Sequence, residues 1–164
     1  MKPIKQLHNK NIEEKACIGE TLVHIHNIQY YLNILVKNIL DRSQMHDRSK
    51  LDLPELNTFV AYTPKLKNMV YGSEEYKQCL TDMKPALDNH YANNSHHPEH
   101  YTNGIADMSL IDLLEMVIDW KASSLRGKDG DINKSLIIQK DRFNIDDQLY
   151  NVLLNTIKEL QLDK

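Results

Sequence analysis

The chain has 164 residues, 41% of them hydrophobic, which is enough apolar material for a sizeable core without disulfide staples. Lys and Arg total 20 against 23 for Asp and Glu, and the formal charge of −3 excludes the broad basic surface of a general nucleic-acid binder. Five glycines and five prolines exclude a collagenous or many-turned all-β chain and point to an all-α fold, while eight histidines are about twice what ordinary usage would give.

In chain order, helical spacing of apolar residues predicts a long first helix from about Ile12 to Leu40, interrupted by Asp41, Arg42 and Ser43. A shorter helix is expected after Leu53-Pro54, ending near Tyr62 at Thr63-Pro64. Tyr71, Gly72 and Ser73 read as a turn and N-cap for a helix from Glu74 to about Asn89, kinked or split at Pro85. Asn93 to Gly104 reads as a loop. Ser109 and Asp112 resemble a capping box opening a helix to about Leu125, closed by Gly127 and Gly130. Helices from about Asp131 to Phe143 and Asp146 to Leu162 complete a set of six or seven. One domain is expected over 1–164, with its core at about 21–124 and accessory helices at about 131–162.

Cys17 and Cys79 stand alone, so no C-x-x-C motif or disulfide framework arises, and a reducing cytoplasm is the expected home. The first residues are followed by Asn, Glu and Lys in place of an apolar signal core, and no stretch approaches the roughly 20 apolar residues of a membrane span.

Periodicity divides the histidines. In the first helix His24 falls in register with Ile28, Tyr31 and Leu35, so it is expected to face the core, whereas His26 falls on the polar side with Asn33 and Lys37. His90, His96, His97 and His100 lie within eleven residues, and neutral imidazole is the commonest nitrogen ligand for first-row transition metals. A polar loop that happens to be rich in histidine would account for that cluster taken alone. His8 and His100 read as surface residues, with His100 able to reach a substrate. The Ser109 helix carries Asp112, Glu115 and Asp119 on one face and Leu110, Leu113, Leu114, Val117 and Trp120 on the other, so the acids are either a narrow solvated stripe or buried groups that require cations or donors.

The ordered set His24, His46-Asp47, His90, His96-His97, Asp119 resembles the HD-domain superfamily, helical proteins whose metal-dependent members are mostly phosphohydrolases. His46-Asp47-Arg48-Ser49-Lys50 is similar to the H-D-x-x-K string of that superfamily, and an apolar Ile28 follows His24 by four. His96-His97-Pro98-Glu99 is similar to the paired-histidine segment of the members that cleave cyclic dinucleotides, although their G-Y-P string is missing. With N-x-H-H at Asn94 to His97 and E-M-x-x-D-W from Glu115 to Trp120, the set looks closest to a small HD-like family of bacteria and their viruses.

The resemblance, covering roughly Thr21 to Ser124, implies a metal site of His24, His46, Asp47, His90, His96, His97 and Asp119 for one or two divalent ions, Mn, Fe, Co or Ni in preference to zinc. Asp47 would bridge two such ions. Arg48 and Lys50, directly after Asp47, are either phosphate-holding groups or ordinary helix-surface charges. Glu55 is expected as a further ligand or a partner of one, and Glu115 as a partner of a ligand. The implied activity is hydrolysis of a nucleotide-like phosphate ester by a metal-activated water, with a small-molecule substrate and neither long nucleic acid nor membrane as partner. A di-iron oxygenase and a non-catalytic helical binding module remain alternatives.

Overall fold

The computed structural model describes residues 11–70, 72–126 and 130–164, and every regular element among them is helical. The expectations at His8, Tyr71 and Gly127 lie outside the described residues. Helix α1 spans Ile12–Met45. Its N-cap Asn11 accepts the Glu14 N–H at 2.8 Å and donates its own N–H to the Glu14 carboxylate at 2.9 Å, a reciprocal box that satisfies two orphan donors. The predicted stop at Asp41 to Ser43 does not occur. Asp41 pairs with Lys37 one turn back and Ser43 donates to the Leu40 carbonyl at 2.7 Å, both compatible with a continuing helix. The helix closes at His46, whose N–H reaches the Arg42 carbonyl at 2.8 Å.

The chain divides into two compact units, residues 1–46 and 47–164, with the boundary inside the stretch read from sequence as one core. In the first unit α1 is the one described helix, and none of its residues is buried. The expectation that His24 faces a core is therefore corrected: His24 is exposed, as are Ile28, Tyr31 and Leu35 in its register. Periodicity identifies residues sharing a face, and among the described residues of this unit no second helix covers that face.

The second unit begins with Asp47 in the left-handed region (φ 57°, ψ 13°), which turns the chain into a 3₁₀ turn at Arg48–Leu51. α2 runs Glu55–Leu66, one turn beyond the predicted stop. Pro64 sits in its last turn, where the missing N–H forfeits one bond. Ser73 caps α3, Glu74–Asp82, by accepting the Tyr76 N–H at 3.2 Å, and α4 follows at Lys84–Asn93 with Pro85 in its first turn, so the proline splits the helix as expected. The loop after Asn94 holds short 3₁₀ turns at Pro98–His100 and Gly104–Asp107.

α5 spans Leu110–Ser124 behind the predicted box, in which Ser109 Oγ accepts the Asp112 N–H at 3.2 Å and Asp112 Oδ2 accepts the Ser109 N–H at 3.0 Å. Leu113, Met116, Val117 and Trp120 of α5 pack with Ile132 and Leu136 of α6 (Ile132–Phe143), with Ile145, and with Leu153 and Ile157 of α7 (Asp147–Glu159). Each such side chain contributes roughly 1.5–3 kcal/mol by leaving water. The last two helices thus supply four of the nine residues of this buried cluster. Leu110, read as part of that apolar face, lies in the first turn and is 79% exposed.

Candidate metal centre

Three elements of the second unit converge on one point. Asp47 comes from the left-handed turn that starts the unit, His90 from the last turn of α4, and His96 and His97 from the loop behind it. One ligand atom from each of the four lies within 4.8 Å of every other. His90 Nε2 is 2.9 Å from His97 Nε2 and 3.3 Å from Asp47 Oδ1, and His96 Nε2 is 3.5 Å from the same Oδ1. Atoms bonded to one ion at about 2.1 Å lie about 3.0 Å apart at octahedral angles and about 3.4 Å apart at tetrahedral ones, so these three separations fit the edges of a coordination shell.

The outer nitrogens fix what the inner ones offer. His90 Nδ1 lies 2.9 Å from Glu55 Oε2, 3.1 Å from Asn94 Nδ2 and 3.3 Å from Ser49 Oγ. The two amide hydrogens of Asn94 go to the His90 carbonyl and to Ser49 Oγ, each at 2.8 Å, and the Glu55 carboxylate can only accept. Nδ1 therefore donates to Glu55, and the Nε2 lone pair points at the centre. Glu55 is fully buried at the first residue of α2, where a helix N-terminus favours negative charge, and its other oxygen accepts from Asn89 at 2.8 Å. His96 repeats the arrangement, with Nδ1 3.2 Å from Glu115 Oε1 on α5. Carboxylate-anchored imidazoles of this kind are the usual outer shell of histidine metal sites.

Burial, then the neighbouring His96 and His90 rings, lower the His97 pKa to about 3, against the opposing pull of Asp119 and Asp47, so the ring is neutral near neutral pH. A neutral imidazole is the form that binds a metal. Asp47 Oδ2 accepts from Lys50 Nζ at 2.5 Å, while Oδ1 faces the histidines. The Lys50 ammonium in turn lies 5.2 Å from the Phe59 ring centroid. A non-glycine residue at positive φ costs on the order of 1 kcal/mol, and here the strained residue is the one whose carboxylate the histidines surround.

Of the residues singled out from sequence, the structure brings together Asp47, His90, His96 and His97, with Lys50 on Asp47, Glu55 on His90 and Glu115 on His96. Asp119 is half-buried on α5 and its charge acts on His97. Arg48 is exposed in the 3₁₀ turn. His46 precedes Asp47 as the C-cap of α1 and belongs to the first unit, as does the exposed His24, which joins none of the described metal-ligand groups. His26 is exposed as expected, and His100, also exposed, donates Nδ1–H to the Tyr91 carbonyl at 2.7 Å. Ser49, Asn89 and Asn94 were missed as site residues. Asn94 and Ser49 stand inside the N-x-H-H and H-D-x-S-K strings, so both carried a signal, whereas nothing in the sequence marks Phe59.

Asp112, grouped in sequence with Glu115 and Asp119, has another role. Its buried carboxylate accepts from Ser95 Oγ at 2.8 Å, Tyr101 OH at 3.0 Å, Ser109 N–H at 3.0 Å and Ser109 Oγ at 2.6 Å, tying the histidine loop to the start of α5.

Fold and site together define an all-helical protein with a group of buried histidines and a carboxylate able to hold a metal ion. The chain belongs to a family of unknown function, DUF5662, which matches it over residues 13–159 and so takes in both units and the helices behind α5. No curated protein and no solved structure matches the chain. No described helix is long and apolar enough to cross a membrane.

Proposed function

We propose that the centre holds a divalent transition metal and hydrolyses a phosphate ester of a nucleotide-like small molecule. The observation that carries the metal is the convergence of His90, His96 and His97 Nε2 with Asp47 Oδ1, two of the imidazoles being anchored through Nδ1 by Glu55 and Glu115. An imidazole-rich shell with one carboxylate suits Mn, Fe, Co or Ni, and the absence of cysteine ligands disfavours a structural zinc. The four-atom group accounts for one ion. Such an ion supplies Lewis acidity toward a phosphate oxygen and a water acidic enough to attack near neutral pH.

The hydrolase reading rests on the resemblance to the HD superfamily and on what the chain places beside the centre. Lys50 holds positive charge against Asp47 Oδ2, where it can receive a phosphate oxygen, and Arg48 follows Asp47 directly with an exposed guanidinium. Phe59 packs on the Lys50 ammonium and limits its positions. The net charge of −3 favours a small substrate over a long polyanion. Two unpaired-in-sequence cysteines, one of them buried, fit a reducing cytoplasm.

Phosphate release from a panel of nucleotides and cyclic dinucleotides by metal-reconstituted protein tests the reading. Release that is lost in Lys50→Ala while metal content is retained is the expected result. Oxygen uptake by iron-loaded protein with no phosphate released would replace it with the oxygenase, and metal-loaded protein inert in both assays would replace it with the binding module.

A further inference from the structure

We infer that α1 pairs antiparallel with α1 of a second copy of this chain. The helix is 34 residues long with no buried residue, and its apolar side chains occur on all sides, a composition found in helices that are covered. Within that distribution one set keeps a strict heptad. Ile18, Ile25, Leu32 and Ile39 recur every seven residues, and Ile28 and Leu35 fall three after the second and third of them, with Thr21 and Arg42 at the two ends of the second row. Four of these side chains are open to solvent: Ile25 is 44% exposed, Ile28 47%, Leu32 54% and Leu35 39%.

A 3.5-residue repeat is the seam of a helix that meets a like helix, whereas packing on a globular body follows the wider 3.6-residue stripe. Leu22 and Val36 flank the seam on one side and Tyr31 on the other, widening the apolar face that a second helix would cover.

Charge selects the direction. The first turns carry Glu13, Glu14 and Glu20 against Lys15, and the last turns carry Lys37 and Arg42 against Asp41. An antiparallel pair moves the acidic first turns of the two copies apart and opposes their dipoles, whereas a parallel pair stacks like on like. In the antiparallel register that matches the two apolar rows, Ile25 meets the second copy's Leu35 and Ile28 its Leu32.

Sedimentation of the full chain at micromolar concentration is expected to give twice the 19.1 kDa chain mass. An Ile28→Lys, Leu32→Lys variant is expected to sediment as a monomer with unchanged metal content. A wild-type monomer, or a dimer that survives the double substitution, overturns the proposal. A monomer whose double variant is unstable shows that the chain covers this face itself. Thiol cross-linking tests direction without disturbing the seam. Tyr31→Cys in a Cys17→Ser background is expected to cross-link across the centre of the pair, while Cys17 of the wild type, about 39 Å from its copy in the antiparallel register, is not. Cross-linking through Cys17 alone, or through neither, overturns the antiparallel arrangement.

Discussion

Asp112 and Asp47 are both acidic residues drawn into the same unit, and their surroundings are opposite. Asp112 is ringed by donors, two serine hydroxyls, a tyrosine hydroxyl and a backbone N–H, so its charge is answered within the protein. Asp47 Oδ1 instead faces His90 and His96 Nε2, nitrogens whose Nδ1 atoms are turned toward Glu55 and Glu115. Acceptors gathered around an acceptor are stabilised by a cation, and donors gathered around one are stabilised without it. Burial of a carboxylate is therefore a poor guide to a site; the polarity of the atoms it faces is the better one.

The largest expected effect comes from removing an inward nitrogen. His90→Gln should weaken binding of Co²⁺ or Mn²⁺ by at least about 100-fold, beyond the usual effect of an outer partner, read by competition against a chromophoric chelator. Binding within a few-fold of wild type would remove the distinction between the two carboxylate environments. Next is Asp112→Ala, which leaves buried donors at Ser95, Tyr101 and Ser109 and should lower stability by about 2–3 kcal/mol in urea titrations. Metal stoichiometry in this variant should stay at the wild-type value, and a parallel loss of metal would place Asp112 in the centre after all. Glu55→Gln keeps the shape of the side chain but weakens its hold on His90 Nδ1. It should cost about 10–100-fold in metal affinity and change the visible spectrum of the cobalt form.

The smallest effect, taken per pH unit, is on the pH dependence of stability. His97 takes up a proton in the unfolded chain near its ordinary pKa of 6.5 but in the folded protein only at about 3. The unfolded state therefore binds more protons between those values, and stability of the metal-free protein falls as pH drops below 6.5, by at most about 1.4 kcal/mol per pH unit from this group. Comparing wild type with His97→Gln isolates that slope; parallel curves would contradict it.

Much of the second unit was legible in the sequence because its signals are local. The Ser109 and Asp112 box and the Ser73 cap placed two helix starts, and Pro85 placed a split, since each acts on backbone within one turn. Part of the composition of the centre was legible too, through Asp47 in the H-D-x-S-K string and the adjacency of His96 with His97. What the sequence could not carry is which atom faces which. Glu55 lies 35 residues from His90, and no spacing rule joins them. Asp112, Glu115 and Asp119 share one face by periodicity, yet one closes a hydrogen-bond network and another anchors an imidazole, because the difference lies in the loop opposite. His24 failed for the reverse reason: its register is real, but an apolar face is covered only by whatever packs on it, and α1 has no partner helix among the described residues of its own unit.

The central claim is that the atoms around Asp47 Oδ1 bind a cation, and elemental analysis of purified protein beside an Asp47→Ala variant tests it most directly. More than half an equivalent of transition metal per wild-type chain, lost in the variant, is the predicted result. Wild-type protein carrying no metal even after reconstitution with Mn²⁺, Fe²⁺, Co²⁺ and Ni²⁺ would contradict it.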